Sequence, residues 1–432
     1  MLPAQNYTFN IISLGCSKNF VDSENLNKDL QKAGLKPAFS SEEADFILIN
    51  TCGFIKEAKK EAINTIFSAL EYKSTSKIIV LGCLSQRYYE ELKKEIPEID
   101  FLYKLFDSNF IDNFCSFFKI KKSTPPFPQI KFLNPQSLFS YLKISEGCSN
   151  RCHFCAIPQI RGPHRAFPLK DLILKTKQSA KKKAAELIII GQDISAYQWK
   201  NYDLVDLVEQ ISLEEGIEWI RLLYCHPDHL TKRIIKLIQT NKKIVKYLDL
   251  PFQHASSKIL KAMGRKGDFK TYYKLLSDLR DLVPEIKIRS TFLLGYPGET
   301  DKDFAELIKF LGKAKIDKVG CFIFSPEENT PAYSLKPKIP AKIKKERYKI
   351  FMEKQREISL QKLQKMINSK VKVIVEEKID KETYIGRSEF DAPEVDGLFY
   401  LTSKSPITCP IVTAKITDAI EYDLIGEKVE DS

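Results

Sequence analysis

Three cysteines, Cys148, Cys152 and Cys155, stand at C-x3-C-x2-C spacing, with Phe154 before the third and no fourth cysteine close by. Zinc in a structural site takes four ligands in a closed tetrahedron, so here it would need a distant fourth one. A [4Fe–4S] cubane takes one ligand per iron, and three thiolates leave one iron open to a small molecule. On spacing alone both metals, and three unrelated thiols, remain open readings.

A second triplet is spread through the first part of the chain. Short apolar runs at 9–15, 45–51 and 77–82 end at or next to Cys16, Cys52 and Cys83, with helix-like stretches at 21–33 and 55–70 between them. Near-continuous apolar strands alternating with helices predict an α/β unit with a parallel sheet. The strand C-terminal ends of such a sheet share one edge, where ligands bind. Three thiols more than 30 residues apart in sequence would therefore converge. Gly15, Gly53 and Gly82 beside them permit tight turns and close approach. The competing reading is that buried cysteines are common small hydrophobes. Cys115, Cys225, Cys321 and Cys409 follow no such pattern and read as structural or incidental thiols.

The elements that would position the first triplet recur at 140–144, 186–190, 220–224, 247–250, 287–294 and 318–324. Six strand-like runs with helices between them predict a partial or full parallel barrel, and the cysteine loop follows the first. Gln192 and Asp193, His226, Gln253 and His254, and Gly295 with Glu299 follow other strand ends, on the face where such barrels hold their sites. Each also has a plainer reading as a loop hydrogen-bonder, a helix cap or a turn residue. The stretch 123–136 carries Pro125, Pro126, Pro128 and Pro135 and reads as a linker. Residues 341–366 read as a connecting helix, and 371–376, 383–387, 397–401, 411–416 and 419–424 as five short strands of a small closed barrel.

Length, 432 residues, predicts two to three domains. No apolar run approaches the roughly 18 residues of a membrane span, and the first ten residues show no secretory pattern. The expectation is a cytoplasmic protein without membrane partners, in which ten cysteines mean metal or redox chemistry more than disulfides. The net charge of +12 points to a polyanion or ribonucleoprotein surface, or to solubility alone. It is uneven: residues 367–432 hold 8 Lys and Arg against 14 Asp and Glu, a net of −6, so residues 1–366 carry +18.

Together these motifs resemble the radical S-adenosylmethionine (SAM) enzymes and, with the N-terminal cysteine triplet and the C-terminal β domain, their methylthiotransferase branch. The resemblance covers almost the whole chain. Its marks are Ser13-Leu14-Gly15-Cys16-Ser17-Lys18-Asn19, Asn50-Thr51-Cys52-Gly53-Phe54-Ile55, Gly82-Cys83-Leu84, Ile157-Pro158-Gln159-Ile160-Arg161-Gly162 and Pro251-Phe252-Gln253-His254-Ala255-Ser256. It implies an α/β N-terminal methylthiotransferase domain at 1–125, a partial (βα) radical SAM barrel with its connecting helix at 137–366, and a TRAM-like β-barrel at 367–432. It implies two [4Fe–4S] clusters, the radical SAM cluster on Cys148, Cys152 and Cys155 and a second on Cys16, Cys52 and Cys83. SAM would bind the open iron of the first, with Gln192 and Gln253 as further contacts and no catalytic residue beyond the cluster ligands. One-electron cleavage of SAM would give a radical that takes a hydrogen from the substrate. The second cluster would supply or carry the sulfur that another SAM methylates, so an electron donor and a sulfur donor are implied partners. The cofactors would carry the hard chemistry and the protein would position them. The sequence departs from the branch at Gly191-Gln192-Asp193, where many radical SAM enzymes have Gly-Gly-Glu, at Ala166, where a hydroxyl residue is expected, and at 101–110.

The TRAM module usually binds RNA, and an RNA-binding barrel should be basic. This one is acidic, with Asp391, Glu394 and Asp396 clustered, which suits a basic protein better; the alternative is a solvated acidic loop. The stretch Asp391-Ala392-Pro393-Glu394-Val395-Asp396-Gly397 resembles the ribosomal-protein aspartate methylthiotransferases. So do Lys18-Asn19-x-Val21-Asp22-Ser23-Glu24 and Leu222-Leu223-Tyr224-Cys225-His226-Pro227. That resemblance implies as substrate an aspartate β-carbon on the twelfth protein of the small ribosomal subunit, a basic protein, with Asp391, Glu394 and Asp396 as substrate contacts. The alternatives are the sister reaction on a tRNA adenosine, a non-catalytic zinc-containing RNA- or ribosome-binding protein, and a simple iron–sulfur electron carrier.

Overall fold

The computed structural model describes residues 2–3, 7–123 and 137–429. The proline-rich stretch, Ser123 apart, lies outside them. The chain forms two compact units. The first comprises residues 1–136 together with 147–149 and 156–164, and the second holds 137–146, 150–155 and 165–432.

The first unit is built on a parallel sheet of β1 (Thr8–Ser13), β2 (Lys36–Pro37), β3 (Phe46–Thr51), β4 (Lys77–Gly82) and β5 (Phe101–Leu102), in the order β2-β1-β3-β4-β5. Every residue of β3 is buried, because helices cover both faces. Phe46 and Leu48 pack with Phe9, Leu26, Leu30 and Phe114 on one side. Ile47 and Ile49 pack with Ala62, Ile66, Ile78 and Val80 on the other. Each such side chain contributes about 1.5–3 kcal/mol relative to exposure, which fixes the register of the three central strands. Helix α1 (Ser17–Lys32) follows β1, α2 (Lys56–Leu70) follows β3, and the short α3 (Cys83–Arg87) follows β4 directly. The edge strands β2 and β5, of two residues each, are too short for a sequence pattern and were not anticipated. The unit also includes α4 (Ile157–Arg161), whose residues Ala156 and Ile160 pack on Cys83.

The second unit begins with six parallel strands in sequence order: β6 (Phe139–Lys143), β7 (Glu186–Ile190), β8 (Trp219–Leu222), β9 (Ile244–Asp249), β10 (Lys287–Leu294) and β11 (Lys318–Ile323). They form the expected partial barrel, with β6 and β11 as its edges. Helices α5 (Leu169–Lys181), α6 (Leu204–Ser212), α7 (Lys232–Thr240), α8 (Phe269–Leu282) and α9 (Asp301–Ala314) lie in the connections. Leu142, Leu187, Ile220, Leu248 and Ile288 belong to one core with residues of these helices. The Gly295–Thr300 stretch leads into α9, where Thr300 and Asp303 form a capping box that satisfies end N–H groups. Helix α10 (Ala341–Gln364) then packs on α9 and β11.

The C-terminal strands β12 (Lys370–Lys378), β13 (Thr383–Ser388), β14 (Phe399–Thr402), β15 (Ile411–Ala419) and β16 (Leu424–Lys428) close into a barrel in the order β12-β13-β14-β16-β15. The fifth strand differs from expectation. Residues 419–424, read as that strand, instead hold the end of β15 and a turn over Ile420–Asp423, where the Ile420 N–H donates to the Asp423 carbonyl (3.0 Å).

Side chains alternate across a strand, so the residues next to the helix-side core face the opposite surface of the six-stranded sheet. These are Tyr141, Glu186, Arg221, Tyr247, Arg289 and Lys318, one polar residue from each strand. All six meet the segment 387–396 of the closed barrel. The Tyr141 hydroxyl donates to Glu394 (3.2 Å), Arg387 to Glu186 (2.7 Å), Arg221 to the Glu389 carbonyl (3.1 Å) and Tyr247 to Asp396 (2.6 Å). Arg289 pairs with Asp396 (3.5 Å), and Lys318 pairs with Asp391.

Candidate functional site

The three N-terminal thiols sit at strand ends because each strand stops at a forced turn. Gly15, with φ +86, follows β1, and a Cβ there would lie 2.6 Å from Cys52 Cβ and 2.9 Å from its Sγ. A Cβ on Gly53 would lie 2.7 Å from the Leu84 Cα. The loops carrying Cys16, Cys52 and Cys83 are thus packed at distances only glycine allows. A polar belt below holds the strand ends. Asn19 Nδ2 donates to the Leu14 carbonyl (2.7 Å) and the Asn50 carbonyl (3.0 Å), and Asn50 Nδ2 returns to the Asn19 carbonyl (2.9 Å) and Ser23 Oγ (2.9 Å). Thr51 Oγ1 donates to the Leu81 carbonyl (2.6 Å).

The thiols feel one another and a shared cation. Burial pushes Cys83 up to about 11, with the charges of Cys16 and Cys52 adding to the rise and Arg161 opposing it. Burial also raises Cys52, against the backbone N–H of Phe54 and the Arg161 charge. At Cys16 burial is outweighed by Lys18, by the N–H of Asn19 at the start of α1 and by Arg161, so this thiol is lowered. Arg161 itself is buried, donating to Asp22 (2.9 Å) and Asn19 Oδ1 (3.0 Å) and to the Cys83 thiol. Three converging thiols with a neighbouring guanidinium are a donor set that fits a thiolate-bound cluster. All ten cysteines are free thiols.

The second triplet follows β6. Gly147, with φ +74, turns the chain so closely that a Cβ would lie 2.3 Å from the Pro163 carbonyl oxygen. The Cys148 N–H donates to the Gly162 carbonyl (3.1 Å). In the second unit the Cys155 N–H donates to the Cys152 carbonyl (3.1 Å), and the His153 N–H to the Met263 carbonyl (2.9 Å). Gly264 lets the Arg151 carbonyl approach, since a Cβ there would lie 2.5 Å away. No three His, Cys, Asp or Glu side chains among the described residues stand at the spacing of ligands to a single metal ion.

The strand-end residues divide into two kinds. Asp193 is fully engaged: it accepts from Asn150 of the cysteine loop (2.8 Å) and from Ser195 (2.6 Å), and pairs with His229 (2.7 Å). Burial alone would raise its carboxyl, but these three partners bring it down to about 2, and the Asp193 contact raises His229. His226 is pushed down to about 3 by burial and by Arg265, whose guanidinium lies 2.8 Å from its Nε2, so it is neutral at pH 7. His254 accepts the Ser256 N–H at Nδ1 (3.0 Å), and its Nε2 lies 3.5 Å from Glu299. Gln192 differs: its Nε2 donates to Glu146 (3.1 Å), while its Oε1 is buried without a partner. A buried unpartnered acceptor is costly unless something donates to it, and an ammonium group fits. Gln253 has φ +71, and its side chain makes no hydrogen bond among the described residues.

Tyr224, just past β8, has φ +65, which is strained for an aromatic residue. Its N–H donates to Asp249 (3.1 Å), and its carbonyl accepts from Ile194 (3.1 Å). The sequence offered Tyr224 only as part of the Leu222–Pro227 motif, because a left-handed backbone leaves no mark on a residue of that type.

The acidic cluster corrects an expectation. Asp391 lies buried against Lys318 and Ser388, and Asp396 against Arg289, Tyr247 and the Ala392 N–H. Neither is available to a basic partner. Only Glu394 is exposed. A carboxylate pattern in sequence does not reveal whether its cations lie outside or inside the same chain.

Comparison with known proteins is consistent along the chain. Residues 8–104 match the model described as uncharacterized protein family UPF0004, residues 142–311 the radical SAM superfamily, and residues 367–429 the TRAM domain. A protein from Acetivibrio thermocellus named ribosomal protein uS12 methylthiotransferase RimO is 42% identical over 445 residues, covering 98% of each chain. One of the same name from Desulforamulus reducens is 41% identical, covering 96% of this chain and 98% of its own. Among solved structures, the radical SAM methyltransferase TsrM from Kitasatospora setae, with cobalamin and a [4Fe–4S] cluster bound, aligns with a TM-score of 0.58 at 11% identity. That alignment covers 76% of both chains. The cobalamin-dependent SAM radical enzyme OxsB aligns with a TM-score of 0.54 at 14% identity, over 82% of this chain and 57% of that one. These likenesses are of fold.

Proposed function

Because the chain belongs to the family of ribosomal protein uS12 methylthiotransferases, we propose that it adds a methylthio group to an aspartate β-carbon of that basic ribosomal protein. The observation that carries this is full-length identity of 42% to a protein of that name, across all three segments. Cys148, Cys152 and Cys155 would hold a [4Fe–4S] cluster, which would supply one-electron chemistry toward SAM by relaying an electron from the donor, and Cys16, Cys52 and Cys83 would hold a second, which would supply the handling of sulfur.

The chain's own residues do the positioning. Asp193 ties Asn150, between the second-unit thiols and Cys148 in sequence, to the end of β7. Gln192, held by Glu146, presents its unpartnered Oε1 to the ammonium of SAM. Gln253 offers a second free amide from a neighbouring strand end. Such positioning fixes reacting groups before the reaction begins. The reaction consumes a sulfur atom and an electron that the chain does not hold, so a sulfur donor and an electron donor are partners. The ribosomal substrate makes the cytoplasm the place of action.

The test is anaerobic reconstitution with iron, sulfide, SAM and a reductant, then mass spectrometry of added uS12. The expected product carries one methylthio group in place of one hydrogen on an aspartate. Modification of a tRNA adenosine with uS12 untouched would overturn the substrate assignment. Iron analysis tests the cofactors: about eight irons per chain should fall to about four when Cys148, Cys152 and Cys155 are all replaced by alanine.

A further inference from the structure

The Ile157–Arg161 helix ends in a buried arginine that the reaction described above does not use. It lies 139 residues from Asp22 in sequence, yet its Nη1 donates to the Asp22 carboxylate (2.9 Å) and its Nη2 to Asn19 Oδ1 (3.0 Å). Both partners lie in the first turns of α1, next to Cys16. Ala156 and Ile160 pack against Cys83, which seats the helix on the start of α3. The same guanidinium hydrogen-bonds the Cys83 thiol. Gly162, with φ +76, ends the helix there and lets the chain leave at once.

A buried charge persists only when it is matched. Asp22 matches Arg161 within the protein, and the ammonium of Lys18, also buried, acts on Cys16. Three thiolates on a dicationic iron–sulfur core leave a loaded site net negative. Lys18 and Arg161 against Asp22 leave the surrounding protein net positive by one charge, the complement of that site. Of the two cations Arg161 is the one at the end of the helix that packs on Cys83, and it is anchored to Asn19 and Asp22 beside Cys16.

We infer that Arg161 is the charge-compensating residue of the Cys16/Cys52/Cys83 site, hydrogen-bonded to one ligand and held in place by Asp22 and Asn19. The inference rests on the reading that these thiols bind the second cluster. A cation beside a cluster stabilises its reduced, more negative state, so Arg161 raises the reduction potential of that cluster.

The test uses the full-length chain in which Cys148, Cys152 and Cys155 are alanine, so that only the second cluster is observed. Iron content and an EPR-monitored redox titration are compared with and without Arg161→Gln and Arg161→Lys. The expected result is full iron content with a lower midpoint potential in the Gln variant, and recovery toward the parent value in the Lys variant. Loss of iron in the Gln variant alone also supports the inference, as a demand for the cation in assembly. An unchanged potential in an iron-replete Gln variant overturns it. Iron loss in both variants with unchanged circular dichroism overturns it in favour of a packing role. A parent without iron is a different failure, because it removes the second cluster itself and the inference with it.

Discussion

The Asp193 carboxylate joins Asn150, Ser195 and His229, and the pair with His229 carries a pH signature. The folded pKa of His229 is raised, so its contribution is fully present below the unfolded value of about 6.5 and fades as pH rises through the folded one. The folded pKa of Asp193 is depressed to about 2, so its contribution is present above about 3.9 and is lost as pH falls. The pair therefore stabilises most between about pH 4 and 6.5. His229→Gln should lower the melting temperature more at pH 6 than at pH 9, by an effect of at most about 1 kcal/mol, since the ring is part-exposed and screened. Equal losses at both pH values would show that the pair carries no linkage. At this scale the strand-end positions of Cys16, Cys52 and Cys83 were legible from the apolar runs before them. Asp193 was legible as a strand-end residue, but its partners were not, because an asparagine, a serine and a histidine from three strand ends form no local sequence pattern. Asp391 and Asp396 misled for a related reason: their partners Lys318, Arg289 and Tyr247 lie 73 to 149 residues away.

Among elements, the loops after β1, β3 and β4 are locked by their glycines. Gly53→Ala would force a Cβ to within 2.7 Å of backbone at Leu84. The loops must part, so iron should fall from about eight to about four per chain, with the cluster on Cys148, Cys152 and Cys155 kept. Retention of all iron would mean the loops have slack. The six-stranded sheet supplies a second case. Glu186 is wholly buried between Arg221 (2.6 Å) and Arg387 (2.7 Å), and their charges hold its carboxyl below the usual range against the effect of burial. Glu186→Ala leaves two buried guanidinium groups without their shared anion and should cost about 3–5 kcal/mol in urea unfolding. Replacing all three residues together by apolar ones of similar volume should cost less than Glu186→Ala alone. The six strands were readable because their apolar runs are long and regularly spaced. The polar residue on each was readable only as an interruption, since nothing in Trp219-Ile220-Arg221-Leu222 says what the arginine faces.

For the molecule as a whole, the closed barrel is fixed to the six-stranded sheet through one residue of every strand. Removal of residues 367–432 would strip Lys318 of its anion and expose Tyr141, Tyr247 and Arg289. The shortened chain should melt at a distinctly lower temperature and lose solubility. An unchanged melting temperature would mark the barrel as an appended module. Sequence composition did separate this acidic segment from the basic remainder, and strand spacing gave its barrel. Its attachment could not be read, because it depends on single polar residues, from Tyr141 to Lys318, on six separate strands.

The inclusion of residues 156–164 in the first unit bears on how the chain is made. A protein emerges from the ribosome N-terminus first, at roughly 5–20 residues per second, and domains tend to fold as they appear. Here the three thiols and the strands that lead into them are made by residue 83, but Arg161, Ile160 and Ala156, which pack at that site, are still unmade. The nascent thiol site therefore waits through about 80 further residues, for roughly 4 to 16 seconds at that pace, without Arg161 beside Asp22 and without Ala156 and Ile160 against Cys83. A fragment ending at 136 would be frozen in that state, and cluster loading during synthesis would have to follow the arrival of the 157–161 helix.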